Sequence, residues 1–345
     1  MYGFLIAVGV LLLLSLIWMV YRIQTLVSVV KGSDKKIASS SNKINAILFI
    51  VFLLGAGFLM FWYSIKEFDN YNLPLASEHG AVTDNLFWIT MAVTGIVFII
   101  THILLFIFPY KYQYKESRKA TFYPDNNKLE VIWTIVPAVV LAVLVIGGWK
   151  AWSDITAPAP ENAHVVEIMG YQFAWEIRYP GVDNVLGDHD YRLINEVNNP
   201  SGVDFSDKNA FDDFTSPVMV LPKGEPVLLK IRARDVLHSV FAPHMRLKMD
   251  AVPGMPTRFW FTPTKTTAEM RQELGDDDFV YEIACTEICG RGHFSMRREI
   301  RVVEPAEYQE WLKEQKPYIV NDPTLVENVS SELKELADIT ISEYK

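Results

Sequence analysis

Cys285-Thr286-Glu287-Ile288-Cys289-Gly290-Arg291-Gly292-His293-Phe294-Ser295-Met296 gathers both cysteines of the chain, a histidine and a methionine into one short stretch. Thiolate, imidazole and thioether are donors that copper favours, and thiolates four positions apart reach one small centre without long-range loop closure. Two cysteines outside the cytoplasm would otherwise be read as a disulfide. His293 and Met296 follow at a spacing for which a disulfide has no use. A tetrahedral zinc site could take Cys285, Cys289, His293 and a distant histidine, but a thioether is a poor zinc ligand and Met296 would have no role. A mononuclear blue-copper site would use one cysteine, two histidines and a methionine, leaving one thiol spare. A binuclear copper centre bridged by both thiolates uses every donor, with one imidazole and one weak axial ligand for each copper. The second histidine must come from elsewhere in the chain. His238 and His244 are the candidates, since His164 and His189 lie far upstream in the first strand and an acidic loop.

Upstream of this stretch the composition is that of a membrane protein. Half of the 345 residues are hydrophobic, and they concentrate in the first 150. Residues 3–21, 44–63, 87–108 and 131–149 approach or reach the roughly 20 apolar residues that span a bilayer, which predicts four transmembrane helices. No basic residue precedes the first run and no small-x-small cleavage pattern follows it, so it reads as a retained helix rather than a signal peptide. The loop after run one carries Arg22, Lys31, Lys35, Lys36 and Lys43, and the loop after run three carries Lys111, Lys115, Arg118, Lys119 and Lys128. The loop after run two sets Lys66 against Glu67, Asp69, Glu78 and Asp84. The positive-inside rule makes loops one and three cytoplasmic and places both termini, with the C-terminal half, outside.

From Ala157 the character changes, with Pro158 and Pro160 marking a linker. Strand-like runs at 165–169, 173–179, 218–221, 226–232, 258–262, 279–284 and 299–303 predict about seven β-strands, the spacing of an all-β sandwich or barrel. Beyond Pro305 the pattern is polar, helical or loosely ordered, an acidic tail of low hydrophobicity. The net charge of −9 falls mainly outside the membrane. Asp183, Asp188, Asp190, Glu196, Asp204, Asp207, Asp212 and Asp213 share one turn-rich stretch, which would repel nucleic acid and attract a basic protein.

Three further segments join the cysteine loop in a family likeness. Asp235-Val236-Leu237-His238-Ser239, Asp250-Ala251-Val252-Pro253-Gly254 and Glu130-Val131-Ile132-Trp133-Thr134-Ile135-Val136-Pro137 occur in the same order, with Cys285 to Met296, in subunit II of haem-copper cytochrome c oxidases, and over roughly residues 115–304 the chain resembles that family. The resemblance implies a membrane-anchored all-β protein, transmembrane helices followed by a cupredoxin-like Greek-key β-barrel. It implies Cys285 and Cys289 as thiolates bridging a binuclear copper A centre, His238 and His293 as imidazole ligands, Met296 as a weak axial ligand, and His244 as structural. Glu287 is implied twice, its carbonyl as the other axial ligand and its carboxylate on a magnesium ion at the interface with subunit I. Oxygen suits that hard ion as sulfur suits the soft one. Glu130 matches the carboxylate at the mouth of a proton-uptake channel, although an acid at a membrane boundary can also be an interfacial anchor.

The likeness also has departures. In Gly170-Tyr171-Gln172-Phe173-Ala174-Trp175-Glu176, Phe173 stands where the family commonly has the tryptophan that receives electrons, and Ala174 replaces another aromatic. Trp175 remains, and as a strand residue it can also be a core residue. Asp235 matches an acid of the donor-docking face. Two helices precede the family's usual pair. No Cys-x-x-Cys-His motif occurs, so this chain carries no covalently attached haem. The expected organisation is therefore two extra N-terminal helices in 1–65, a helix hairpin in 86–150, an external copper domain in 160–305 and a polar tail in 306–345. The implied setting is a bacterial inner membrane, with oxidase subunits I and III, a c-type cytochrome donor and lipid as partners. The rival readings are the copper A domain of a nitrous oxide or nitric oxide reductase, against which the four spans and the Glu130 segment argue, and a copper-free quinol oxidase subunit, which would lack the thiolates.

Overall fold

The computed structural model describes residues 2–32, 40–115 and 117–344. Lys35 and Lys36 lie outside the described residues. The helices α1 (Tyr2–Val30), α2 (Ser40–Lys66), α3 (Phe68–Tyr71), α4 (Glu78–Lys111) and α5 (Asn127–Ile155) precede ten strands. Four of these helices, α1, α2, α4 and α5, are long and apolar enough to cross a membrane. Each runs several residues beyond the apolar stretch read from the sequence, because polar residues at a helix end keep the backbone hydrogen-bonding pattern while facing headgroups or water.

The chain divides into two compact units. The first comprises residues 1–71 and 91–135. In it, Phe106 of α4 packs its ring against Phe49 and Phe52 of α2, with centroids 5.7 and 5.4 Å apart. The second comprises residues 72–90 and 136–345. Here the first turns of α4 and the segment leading into it are strapped to the β-domain: Arg246 donates to both carboxylate oxygens of Asp84 and to the carbonyl of Leu73, and the Ala76 N–H donates to the His244 carbonyl.

The strands are β1 (His164–Tyr171), β2 (Ala174–Tyr179), β3 (Phe214–Ser216), β4 (Met219–Pro222), β5 (Val227–Ala233), β6 (His238–Ala242), β7 (Leu247–Ala251), β8 (Thr257–Phe261), β9 (Tyr281–Cys285) and β10 (Arg297–Val303). They form two five-stranded sheets, in the orders β3-β2-β1-β5-β8 and β4-β10-β9-β6-β7. The fold is a cupredoxin-like sandwich. The pairs β1/β5 and β4/β10 are parallel and the other ladders antiparallel. Val166, Ile168, Ile177, Ile231, Val240 and Ile283 are buried in one core between the sheets, and Cys285, Cys289 and Met296 belong to the same cluster. Three strands were not predicted. β3 is only three residues long, and β6 and β7 carry His238, Ser239, Lys248 and Asp250 within their short spans. Their pairing, rather than their composition, makes them strands.

Strand β1 is buried almost throughout, so it is covered on both faces. Its outward residue Glu167 stands opposite Arg178 of β2 and Lys230 of β5 in the ladder. The stretch from 183 to 213 closes over this face. Arg178, 1% exposed on its side chain, holds Glu167 at 2.9 Å and Asp213 at 2.8 Å, and Arg232 reaches Glu167 at 2.8 Å. Burial raises the Glu167 carboxyl, but the two guanidiniums outweigh it and hold the group far below the usual range. Arg178→Met leaves the buried Asp213 without its guanidinium and Glu167 with Arg232 alone, so it is expected to destabilise the β-domain by about 3–5 kcal/mol. Thermal unfolding of the detergent-solubilised chain measures this, and a loss below about 1 kcal/mol would show instead that solvent screens the network.

The acidic stretch is therefore not a uniform docking surface. Asp213 is fully buried, Asp212 accepts from the Val182 N–H, and Asp207 caps a turn through the Asn209 N–H. Beyond β10 the chain continues as α7 (Pro305–Lys313), α8 (Tyr318–Asn321) and α9 (Lys334–Glu343), with α6 (Thr267–Leu274) inserted earlier behind a Thr266/Glu269 capping box. The segment read as a polar tail has its own apolar contacts. Ile319, Leu325, Ala337 and Ile341 are buried with Phe205 and Phe211 of the acidic stretch in a second small core. Sparse apolar residues can be buried when another segment supplies the facing surface.

Candidate metal centre

Two short pieces of backbone bring the donors together. β9 and β10 form a hairpin whose connecting loop is the cysteine-rich stretch, closed at its base by the Cys285 N–H donating to the Met296 carbonyl. β6 pairs with β9 through Val240 opposite Cys285, which brings the start of β6, and with it His238, to the first cysteine. The loop then tightens into a turn at His293–Ser295, with the His293 N–H donating to the Gly290 carbonyl and the Met296 N–H to the His293 carbonyl.

The resulting geometry is compact. The two sulfurs lie 3.9 Å apart and are not bonded to each other. His238 Nδ1 is 3.9 Å from Cys285 Sγ, and the Glu287 carbonyl oxygen is 3.2 Å from the same sulfur. His293 Nδ1 is 3.6 Å from Cys289 Sγ, and Met296 Sδ is 3.9 Å from it. The ligand atoms of His238, Cys285 and Cys289 all lie within 4.8 Å of one another, as a shared metal requires. Burial, and then the neighbouring Cys285 thiol, push the Cys289 thiol up to about 11. A cation beside such a buried thiol supplies the charge that makes the thiolate favourable.

The other predicted residues fall as follows. The Glu287 side chain is exposed, while its backbone carbonyl faces the sulfurs. Glu130 lies exposed in the first turn of α5. Phe173 precedes β2 rather than starting it, is 37% exposed, and lays its ring on the metal loop. A Cβ on Gly292 would stand 2.5 Å from the Phe173 ring, and Gly290 has φ +133°, so both positions need glycine for this approach. Trp175 is completely buried, its ring tilted edge-on to His238 with centroids 5.8 Å apart. It offers no surface to a donor. His244 sits between the rings of Phe279 and Tyr281, away from the sulfurs, and His164 pairs with Glu225.

One further group has contacts near the site that sequence reasoning did not foresee. Asp235 accepts hydrogen bonds from the backbone N–H groups of Gln172 and Val236 and lies 2.9 Å from His238 Nε2. Burial raises its carboxyl, but these donors outweigh burial and hold it below the usual carboxylate range. The three-residue spacing to His238 was the available signal. Only the fold shows that the carboxylate reaches the buried imidazole.

Comparison with known proteins gives the family of the chain. The family profile "Cytochrome C oxidase subunit II, periplasmic domain" matches residues 164–303, and "Cytochrome C oxidase subunit II, transmembrane domain" matches residues 62–147. The chain is 33% identical over 282 residues to an alternative cytochrome c oxidase subunit 2 of Bradyrhizobium diazoefficiens, covering 79% of this chain and 93% of that one. This chain belongs to the cytochrome c oxidase subunit II family. A probable cytochrome c oxidase subunit 2 of Rickettsia prowazekii is 27% identical over 240 residues, 70% of this chain and 68% of its own. The crystal structure of the periplasmic domain of subunit II from Bradyrhizobium japonicum covers 45% of this chain and 95% of its own, at 22% identity and a TM-score of 0.30, a likeness too low to carry weight. The subunit II role in an oxidase complex follows from the family, as does a membrane protein with a periplasmic domain. Most of α1 and α2 precedes the stretches matched by the two profiles.

Proposed function

We propose that this subunit accepts electrons from a reduced c-type cytochrome at a binuclear copper A centre and passes them to haem in subunit I, where oxygen is reduced and protons are pumped. The observation that carries this reading is the donor set: two adjacent thiols, each with one imidazole nitrogen and one weak donor beside it. These donors fit the copper pair. Bound there, the pair would supply one-electron transfer between two oxidation levels. The thiolates of Cys285 and Cys289 and the imidazoles of His238 and His293 would hold the pair, with Met296 and the Glu287 carbonyl as weaker donors. Zinc leaves the buried Met296 without a role, and a single copper leaves one thiol unused.

The chain's own residues keep the reorganisation small. The ligands sit at the edge of the sandwich core, closed by a hydrogen-bonded hairpin base, so the frame changes little when charge arrives. Phe173 is the exposed aromatic that touches the metal loop, and we assign it the donor side. Phe173→Ala is expected to slow electron uptake from a soluble c-type cytochrome by about ten-fold or more, with copper content and spectrum unchanged. Stopped-flow reduction of the assembled oxidase measures this, and an unchanged rate would move the donor contact elsewhere. The Glu287 carboxylate is assigned to magnesium at the subunit I interface, and Glu130 to proton uptake. Subunits I and III and the lipid bilayer complete the setting, with four spans and both termini outside.

Metal analysis of the purified full-length chain tests the central reading. Two coppers per chain and a mixed-valence spectrum with one electron shared between them are expected. One zinc, or no metal, overturns it.

A further inference from the structure

Asp235 has its carboxylate engaged by groups of the protein itself, one of them a candidate metal ligand. We propose that Asp235, with Gln172 behind it, is a positioning residue for the copper centre, a bracket that fixes the ring of His238 and the Cys289 side of the loop together. This inference rests on the copper reading of the same site.

His238 is fully buried and turns Nδ1 toward Cys285 Sγ at 3.9 Å. Its other nitrogen, Nε2, faces Asp235 Oδ1 at 2.9 Å. A carboxylate accepts only, so Nε2 carries the proton and Nδ1 keeps its lone pair for a metal. Turning the ring over about its bond to Cβ would remove both contacts at once, leaving carbon where the carboxylate needs a donor. The hydrogen bond therefore sets tautomer and ring orientation together. A carboxylate on the far nitrogen also makes the ligating nitrogen more basic.

The bracket extends beyond one ligand. Asp235 Oδ2 accepts from the Gln172 N–H at 2.8 Å, and Oδ1 also accepts from the Val236 N–H at 2.7 Å. The Gln172 side chain donates from Nε2 to the Cys289 carbonyl at 2.5 Å. A continuous run of hydrogen bonds thus leads from His238 through Asp235 and Gln172 to Cys289, joining β6 to the far half of the loop. The next residue of the same turn, Phe173, lays its ring on Gly290 and Gly292. The β1–β2 turn holds the metal loop from outside, and Asp235 ties that turn to the buried histidine. Three donors of the protein itself thus hold the two oxygens of this carboxylate.

The two roles leave different signatures. Loss of an outer partner to a ligating imidazole weakens metal binding by about 10–100-fold. Loss of a docking charge changes the association rate and its salt dependence. The test uses the full-length copper-loaded chain in detergent, as parent, Asp235→Asn and Gln172→Ala. It reads copper transfer to a chelator, the absorption spectrum of the centre, and the ionic-strength dependence of reduction by a soluble c-type cytochrome. Asp235→Asn is expected to give up copper about 10–100-fold more readily with a shifted spectrum, and Gln172→Ala less so, while the salt dependence stays that of the parent. An Asp235→Asn chain that holds copper within about two-fold of the parent, with the parental spectrum, overturns the proposal, and a flattened salt dependence alongside would make it a docking charge. If Asp235→Asn does not fold, Gln172→Ala decides, and copper retention within about two-fold of the parent overturns the bracket. A parent that takes up no copper pair overturns the copper reading and this inference together, whereas a parent with two coppers and unaffected variants overturns this inference alone.

Discussion

Cys289→Ser is expected to abolish the copper pair. Cys289 Sγ stands among three donors, with Cys285 Sγ, His293 Nδ1 and Met296 Sδ all between 3.6 and 3.9 Å from it. A serine hydroxyl is a hard, feebly acidic donor and does not bridge soft ions as a thiolate does. What remains is Cys285 with His238 and the Glu287 carbonyl, a set for one metal at most. Copper content should fall from two per chain to one or none, and the shared-electron spectrum should vanish. Stability follows by mass action, because a ligand present at a thousand times its dissociation constant adds about 4 kcal/mol to the folded state. The parent's rise in thermal midpoint on copper loading should be absent from the variant. Retention of two coppers by Cys289→Ser would contradict the bridging assignment.

Trp175 carries the second large effect, through packing. It is among the largest fully buried side chains and stands against His238 and the Cα of Gly170. Trp175→Ala opens a cavity directly behind a metal ligand and should cost about 3–5 kcal/mol. With that wall gone, His238 gains room to turn on its core side, so copper loss should accompany the fall in thermal midpoint. Trp175→Phe separates packing from electron relay. Its indole N–H is buried with no partner in the described structure, so Phe removes an unsatisfied donor while keeping most of the volume. That variant should stay within about 1.5 kcal/mol of the parent in stability, with parental rates of electron uptake. A tenfold slower uptake at full copper content would instead return Trp175 to the electron path.

These residues also show where reading the sequence stops. The four apolar runs were legible because spanning a bilayer needs only length and apolarity, both local properties. Seven of the ten strands were legible from alternation between turn residues. β6 was not, because His238 and Ser239 open it and its strand character comes from pairing with β7 and β9. The C-terminal residues looked like a solvated tail because their apolar residues are few. Phe205 and Phe211, more than a hundred positions upstream of Ile319, supply the surface that buries them.

Cys285, Cys289, His293 and Met296 form a donor set within one hairpin loop, so residue types and spacing alone pointed to a soft-metal site there. The fourth strong donor lies forty-seven positions away from Cys285 in sequence. Its selection over His244 came to the sequence reading only through family likeness, and in space the register of β6 against β9 decides it. Whether a side chain faces a partner, the core or another side chain was likewise decided by tertiary structure. Asp235 turns in to His238, Trp175 is sealed in the core, and Phe173 is left at the surface on two glycines. Residue type sets what chemistry a group can do, whereas direction and burial depend on which distant strand comes to lie beside it.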